Sequence, residues 1–112
     1  MPSDSERRRL EHICQNIAYI REFIAGRSFD AFAADRLTFY AVMRALAIIS
    51  EASRHLGADI QARHRHIDWI AVRDAGNVYR HGYDVITEER VWDTVTKHLP
   101  ILEQAAVSEL SG

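Results

Sequence analysis

The chain has 112 residues, 47% of them hydrophobic and 27% charged, and a net charge of −2 with only five Gly and two Pro. This composition excludes a disordered, collagen-like or low-complexity chain and predicts one domain over residues 1–112. No apolar run approaches the roughly 20 residues of a membrane span, and the charged N-terminal segment predicts no signal peptide. The single cysteine, Cys14, cannot form an intrachain disulfide, so we expect a cytoplasmic protein that does not act at a membrane.

The first predicted helix covers residues 4–25. Ser3 or Asp4 can cap its start, and Gly26 suits its end. Its apolar residues recur every three or four positions and form one stripe that faces the core. These residues are Leu10, Ile13, Ile17, Ile20 and Ile24.

A second helix is predicted over residues 32–56 and stops at Gly57. Its stripe contains Leu37, Tyr40, Ala41, Arg44, Ala45, Ile48, Ile49 and Ala52. Small alanines allow another helix to approach closely, so we expect this helix to bury a face against a second copy of the chain. The periodicity lapses over residues 57–66, which predicts a loop.

A third helix is predicted over residues 67–80, ending near Gly82. Thr87 can cap the last helix, which we expect to bend or break at Pro100 and to continue to Leu110. Its apolar residues are Val91, Trp92, Val95 and Leu99. The pattern as a whole predicts an all-α antiparallel bundle of four to five helices that forms a homodimer.

Residues 68–84 contain more polar side chains than a plain surface helix needs. Arg73, Asn77 and Arg80 are spaced i, i+4 and i+7, and His81 follows Asn77 by four residues, so all four share one helix face. A guanidinium fork, an amide donor and an imidazole that titrates near neutral pH are suited to holding and cleaving a phosphodiester. Residues 54–83 also carry five Arg against three Asp, which favours a phosphate-bearing ligand.

Each of these residues also has a purely structural interpretation. His81 near a helix C-terminus can stabilise the helix dipole, and Arg73 can pair with Asp74 or Glu51. Glu51, at the end of an apolar helix, is a candidate buried partner for an arginine. Tyr79 is typical of a packing residue. The coincidence of polar groups on one face favours the functional interpretation.

The His64-Arg65-His66 segment has a spacing that can bind metal, but no nearby cysteine or carboxylate completes a tetrahedral set. We therefore expect no metal site and no cofactor, and we expect this segment to face solvent or RNA. The sequence also lacks a glycine-rich phosphate loop, a paired-carboxylate motif and a nucleophile elbow.

Over residues 8–102 the sequence resembles the HEPN superfamily, and within it the HepT-like toxins of HEPN/MNT toxin–antitoxin pairs. Segments that carry the resemblance, in order, are AVMRALAIISEA from residue 41, WIA from residue 69, NVYRHGY from residue 77, VW at 91–92 and LP at 99–100. The resemblance implies a dimeric helical bundle. Many members are metal-independent ribonucleases.

The family's motif is an arginine, four to six residues and then a histidine, commonly with a polar residue directly after the arginine. His81 matches the histidine and Asn77 the polar residue, whereas Gly76 stands where the arginine belongs. Arg73 and Arg80 are the two candidates to replace that arginine. The resemblance implies that RNA lies in the dimer cleft, where these arginines and Arg65 would grip phosphates.

Tyr83 matches the tyrosine that a minimal nucleotidyltransferase antitoxin AMPylates in HepT-like toxins. The resemblance therefore implies that partner, with Tyr79 as the alternative acceptor. A second hypothesis treats the domain as a non-catalytic binding partner or AMP acceptor of the transferase, and the glycine in the motif position favours it.

Overall fold

The computed structural model describes residues 1–82 and 84–112. Within these residues the secondary structure is entirely helical, which confirms the predicted fold class. The helices are α1 Asp4–Ile24, α2 Phe29–Ala34, α3 Arg36–Ser53, α4 Ala58–Arg63, α5 Trp69–His81, α6 Glu88–Asp93, a π-helical turn Thr94–His98, and α7 Leu99–Ser111.

Helix α3 lies at the centre of the bundle, with α1 and α5 packed against it and α7 packed against α1. The Glu6 carboxylate at the start of α1 accepts a hydrogen bond from the Gly57 amide, just beyond the end of α3, at 2.8 Å. Arg7 donates to the Leu110 carbonyl near the end of α7 at 3.3 Å. Helix α1 is therefore antiparallel to both α3 and α7.

Helix α1 forms as predicted. Four of its five stripe residues are at most 1% exposed, namely Leu10, Ile13, Ile17 and Ile20. The Ser3 side chain accepts from the Glu6 amide while the Glu6 side chain accepts from the Ser3 amide, which forms a capping box. Gly26 has φ 73°, a left-handed conformation that glycine adopts at low cost just past a helix.

The predicted helix over residues 32–56 is wrong in its boundaries. The chain forms two helices, α2 and α3, separated at Asp35, whose carboxylate accepts from the Leu37 amide at 3.1 Å and caps α3. The stripe prediction is only partly right, because Leu37 is 80% and Tyr40 62% exposed. Ala45, Ile49 and Ala52 of the predicted stripe are buried. The buried side of α3 also includes Phe39, Val42 and Leu46, which the stripe did not contain.

The loop predicted over residues 57–66 is also wrong, because α4 occupies Ala58–Arg63. A six-residue helix makes fewer than two turns, so its periodicity is too short to detect. Ile60, at 1% exposure, is the residue that attaches α4 to the core.

The last predicted helix begins as expected, with the Thr87 hydroxyl accepting from the Arg90 amide at 3.2 Å. The predicted disturbance near Pro100 takes the form of the π-helical turn, after which Pro100 lies in the first turn of α7. A proline is tolerated in a first turn, where its missing N–H has no helical partner to lose. None of the described helices combines the length and apolarity that crossing a bilayer requires.

Candidate functional site

Helix α5 is fixed at its start and along its inner side. The Asp68 carboxylate accepts from the Ala71 amide at 3.0 Å and caps the helix. The buried Trp69 indole N–H donates to the His64 carbonyl at 3.0 Å. The Ser50 hydroxyl of α3 donates to the Val72 carbonyl at 2.7 Å. These contacts set the position of the polar residues further along α5.

Gly76 lies where α5 crosses α3. A Cβ at this position would be 2.6 Å from Ser50 Oγ, closer than a Cβ approaches another side chain, and 3.2 Å from Ser50 Cβ, which is tighter than most such contacts. The same Cβ would be 3.4 Å from an Nη1 nitrogen of Arg80. The missing side chain therefore permits the helix crossing, and the Arg80 guanidinium extends back along α5 to this point.

The outer side of α5 carries a cluster of polar side chains. Arg80 Nη2 donates to Asn77 Oδ1 at 2.9 Å, and Arg80 Nη1 lies 3.9 Å from a Glu51 carboxylate oxygen of α3. His81 is exposed one turn after Asn77, and Arg73 is partly buried two turns before Arg80. The structure thus joins Arg80 and Asn77 directly, with the imidazole next along the chain.

On α3, Glu51 is the residue that lies next to this cluster. Its carboxylate contacts Arg54 Nη1 and His55 Nε2, each at 3.1 Å. The hydrogen bond with His55, followed by the charge of Arg54, lowers the pKa of Glu51. The Glu51 side chain is 42% exposed, so the interpretation of Glu51 as a buried partner is wrong, although it does have arginine partners. Sequence analysis missed Arg54 and His55, for which only their i+3 and i+4 spacing from Glu51 is a signal.

The remaining predicted site residues are Arg65, Tyr83 and Tyr79. Arg65 is exposed between α4 and α5, and among the described residues no hydrogen bond or ion pair connects it to Arg80 or Asn77. Tyr83 lies outside the described residues. Tyr79 is half-buried, and this burial raises the pKa of its phenol.

The His64-Arg65-His66 segment, whose spacing could bind a metal, contacts a buried carboxylate through His64. His64 Nε2 and Arg63 Nη2 both lie 2.7 Å from the carboxylate of Glu109 on α7. Glu109 is only 8% exposed, and its bonds to Arg63 and then His64 lower its pKa from 4.5 to about 2. In the described part of the chain, no group of three or more metal-ligating side chains converges.

A groove separates α5 from α6, the π-helical turn and α7. It contains two adjoining cavities of about 640 and 520 Å³. Residues common to both are Ala71, Ala75, Tyr79, Arg90, Thr94 and His98. Asp74 and Val78 extend the lining toward the exposed side of α5 that carries His81.

The fold and the cluster together define an all-helical protein with a guanidinium, an amide and an imidazole on one surface helix. Residues 13–108 match the family model described as ribonuclease HepT-like. The chain belongs to the HepT-like, HEPN-type ribonuclease family.

Curated relatives agree with this assignment. The chain is 34% identical over 94 residues to a protein of Thermococcus cleftensis named as a probable ribonuclease HepT, with 84% of this chain and 86% of the relative covered. It is 31% identical over 95 residues to a protein of Caldanaerobacter subterraneus provisionally named as an RNase, with 85% of each chain covered. No solved structure matches the chain.

Proposed function

We propose that this protein is the toxin of a toxin–antitoxin pair and acts as a metal-independent endoribonuclease. The observation that carries the proposal is the hydrogen bond from Arg80 to Asn77 on α5, the helix that ends at the exposed His81. Membership of a family of HepT-like ribonucleases supports RNA as the substrate. Arg65, Arg73 and Arg80 are the proposed phosphate contacts.

In the proposed reaction, the 2′-hydroxyl of the RNA attacks the adjacent phosphorus. The new P–O2′ bond replaces the P–O5′ bond, which leaves a 2′,3′-cyclic phosphate and a 5′-hydroxyl. His81 takes the proton from the 2′-hydroxyl or gives one to the departing 5′-oxygen. Asn77 and an arginine donate hydrogen bonds to the phosphoryl oxygens, where negative charge increases in the transition state.

A homodimer is part of the proposal, because two copies would supply two histidines to one cleft. Helix α3 offers a face for this contact. Leu37 is 80% and Tyr40 62% exposed, and Ala41, Arg44 and Ile48 continue the same stripe. Large exposed apolar side chains on a helix that also carries small residues are typical of a self-association surface.

The proposal includes regulation by a minimal nucleotidyltransferase that transfers AMP to Tyr83. The tyrosine follows His81 by two residues, so an added nucleotide would bring a bulky negative group next to the proposed RNA-binding surface. Tyr79 is the less favoured acceptor, because its side chain is half-buried.

The toxin hypothesis is tested by expression in a host that lacks a cognate antitoxin. We expect the wild type to arrest growth and to produce new RNA fragments, whereas His81→Ala permits growth and leaves RNA intact. His12→Ala, which removes an exposed imidazole from α1, is the matched control and should behave like the wild type. Cleavage by purified, dimeric His81→Ala at the wild-type rate would refute the assignment.

A second candidate function is a non-catalytic AMP acceptor or binding partner of the transferase. The observation that favours it is Gly76, which leaves the motif position without an arginine. Normal growth and intact RNA with abundant wild-type protein would support this function. Incubation with an active transferase and ATP should then add AMP masses that Tyr83→Phe loses.

A further inference from the structure

We infer that Arg80, rather than Arg73, supplies the guanidinium of the proposed ribonuclease site, and that Glu51 of α3 is the residue that positions it. This inference deepens the proposed function and rests on it. It concerns a contact between two helices, which local sequence does not show.

The position of Arg80 is the first step. Its side chain begins on the fourth turn of α5 but reaches back to within 3.4 Å of the point where a Gly76 Cβ would stand. The guanidinium therefore lies level with Asn77, although residue 80 follows it by three positions. Arg73 starts seven residues earlier than Arg80, about 10 Å along the helix axis.

The contact with Asn77 also has a chemical consequence. Arg80 Nη2 donates to Asn77 Oδ1, which assigns the oxygen of this amide to the arginine. The Asn77 Nδ2 group, with its two N–H donors, then remains for a phosphate oxygen. Arg80 thus contributes its own donors and also orients those of its neighbour.

Glu51 approaches the other side of the guanidinium. Its Oε1 atom lies 3.9 Å from Arg80 Nη1, too long for a direct hydrogen bond but close enough for electrostatic attraction. A guanidinium held this loosely keeps N–H groups for a phosphate. The exposed fractions of the two side chains, 38% for Arg80 and 42% for Glu51, leave the pair open to solvent.

The charge of the cluster remains favourable for RNA. Arg54 contacts the same Glu51 carboxylate, so two guanidinium groups surround one carboxylate. The three groups together carry one positive charge. Glu51 can therefore orient Arg80 without making the surface repel a phosphodiester.

The decisive comparison is between Arg80→Ala and Arg73→Ala in the purified full chain, with cleavage of a labelled single-stranded RNA oligonucleotide as the readout. We expect Arg80→Ala to lower kcat about 100-fold, the size of effect seen when one transition-state hydrogen-bond donor is removed. Arg73→Ala should lower kcat far less than Arg80→Ala does, and it should also raise KM less. Arg80→Lys should recover only part of the loss, because an ammonium lacks the planar fork. Arg8→Ala, an exposed arginine on α1, is the control for loss of one surface charge.

Glu51 is tested by a double-mutant cycle. Glu51→Gln should lower kcat about tenfold with little change in KM, and Arg80→Ala/Glu51→Gln should be no slower than Arg80→Ala alone, since a positioning residue acts only through its target. Each variant is compared with the wild type for helical circular dichroism and thermal midpoint. Equal losses from Arg73→Ala and Arg80→Ala, or additive losses in the double variant, would overturn the inference.

A wild-type protein that fails to cleave RNA would refute the proposed function, and a binding measurement then decides the inference. The anisotropy of the labelled oligonucleotide is followed with each variant at low and physiological salt. Arg80→Ala should then weaken RNA binding more than Arg73→Ala does. Equal affinities of the two variants would refute the assignment of Arg80.

Discussion

Two glutamates in this protein each contact an adjacent Arg-His pair, but their surroundings differ. Glu109 binds Arg63 and His64 and is 8% exposed, whereas the Glu51 side chain binds Arg54 and His55 and is 42% exposed. The buried carboxylate of α7 has contacts with Arg63 and His64 at the end of α4 on both of its oxygens. The exposed one has a further guanidinium nearby, that of Arg80. Burial, rather than residue type, therefore separates a contact that holds the fold from one suited to a binding site.

The largest expected effect on stability comes from Glu109→Gln. The substitution removes the carboxylate charge that Arg63 and His64 share, at a site that is almost closed to solvent. We therefore expect a loss of about 2–3 kcal/mol in the free energy of unfolding. Urea unfolding followed by circular dichroism measures it. Glu103→Gln is the control. It breaks the more exposed ion pair between Arg21 of α1 and Glu103 of α7, and it should lower the free energy of unfolding by less than about 1 kcal/mol. Equal losses would remove the distinction based on burial.

The same contact predicts an acid sensitivity. The pKa of Glu109 is about 2 in the folded protein against an ordinary 4.5, so the unfolded chain binds more protons between those pH values. The stabilisation from Glu109 is therefore complete above about pH 5 and is lost as the pH falls toward 2. The difference in unfolding free energy between wild type and Glu109→Gln should shrink over that window. A difference that stays constant from pH 6 to pH 3 would contradict this assignment.

The sequence predicts those parts of this molecule that depend on neighbouring residues. Helix α1 was predictable because its stripe spans about four turns and the two residues of its capping box are three positions apart. Helices α2 and α4 were not predicted as separate elements, because six residues give too little periodicity. The polar face of α5 was predictable in the same way, because its residues recur at helical spacing within one element.

The two glutamate clusters differ in what the sequence can show. Glu51, Arg54 and His55 are within one helical turn, so their contact is local. Glu109 and His64 are 45 residues apart, and no local pattern indicates that they meet. Arg80 and Glu51 likewise meet only because Gly76 lets α5 approach α3. An Arg-His pair in the sequence therefore does not reveal which kind of contact it will make.

A smaller effect is expected at the helix crossing that brings the exposed cluster together. Gly76→Ala places a Cβ 2.6 Å from the buried Ser50 hydroxyl, and we expect a loss of about 1–2 kcal/mol after the better helix propensity of alanine is included. Ser50→Gly removes both close atoms, so the double variant should lose less stability than the two single variants added together. Urea unfolding of all four proteins gives the coupling free energy. Strict additivity would show that the contact with Ser50 does not limit the crossing.

The smallest stability change is expected from Glu51→Gln, because water can replace an exposed carboxylate around Arg54 and His55. Exposed ion pairs contribute little to folding, so the free energy of unfolding should change by less than about 0.5 kcal/mol and depend little on added salt. Urea unfolding beside Glu109→Gln makes the comparison direct. A loss as large as that of Glu109→Gln would mean that Glu51 holds α3 and α5 together. If Glu51→Gln leaves the free energy of unfolding unchanged but lowers kcat by the expected tenfold, the charge of Glu51 acts on Arg80 rather than on the fold.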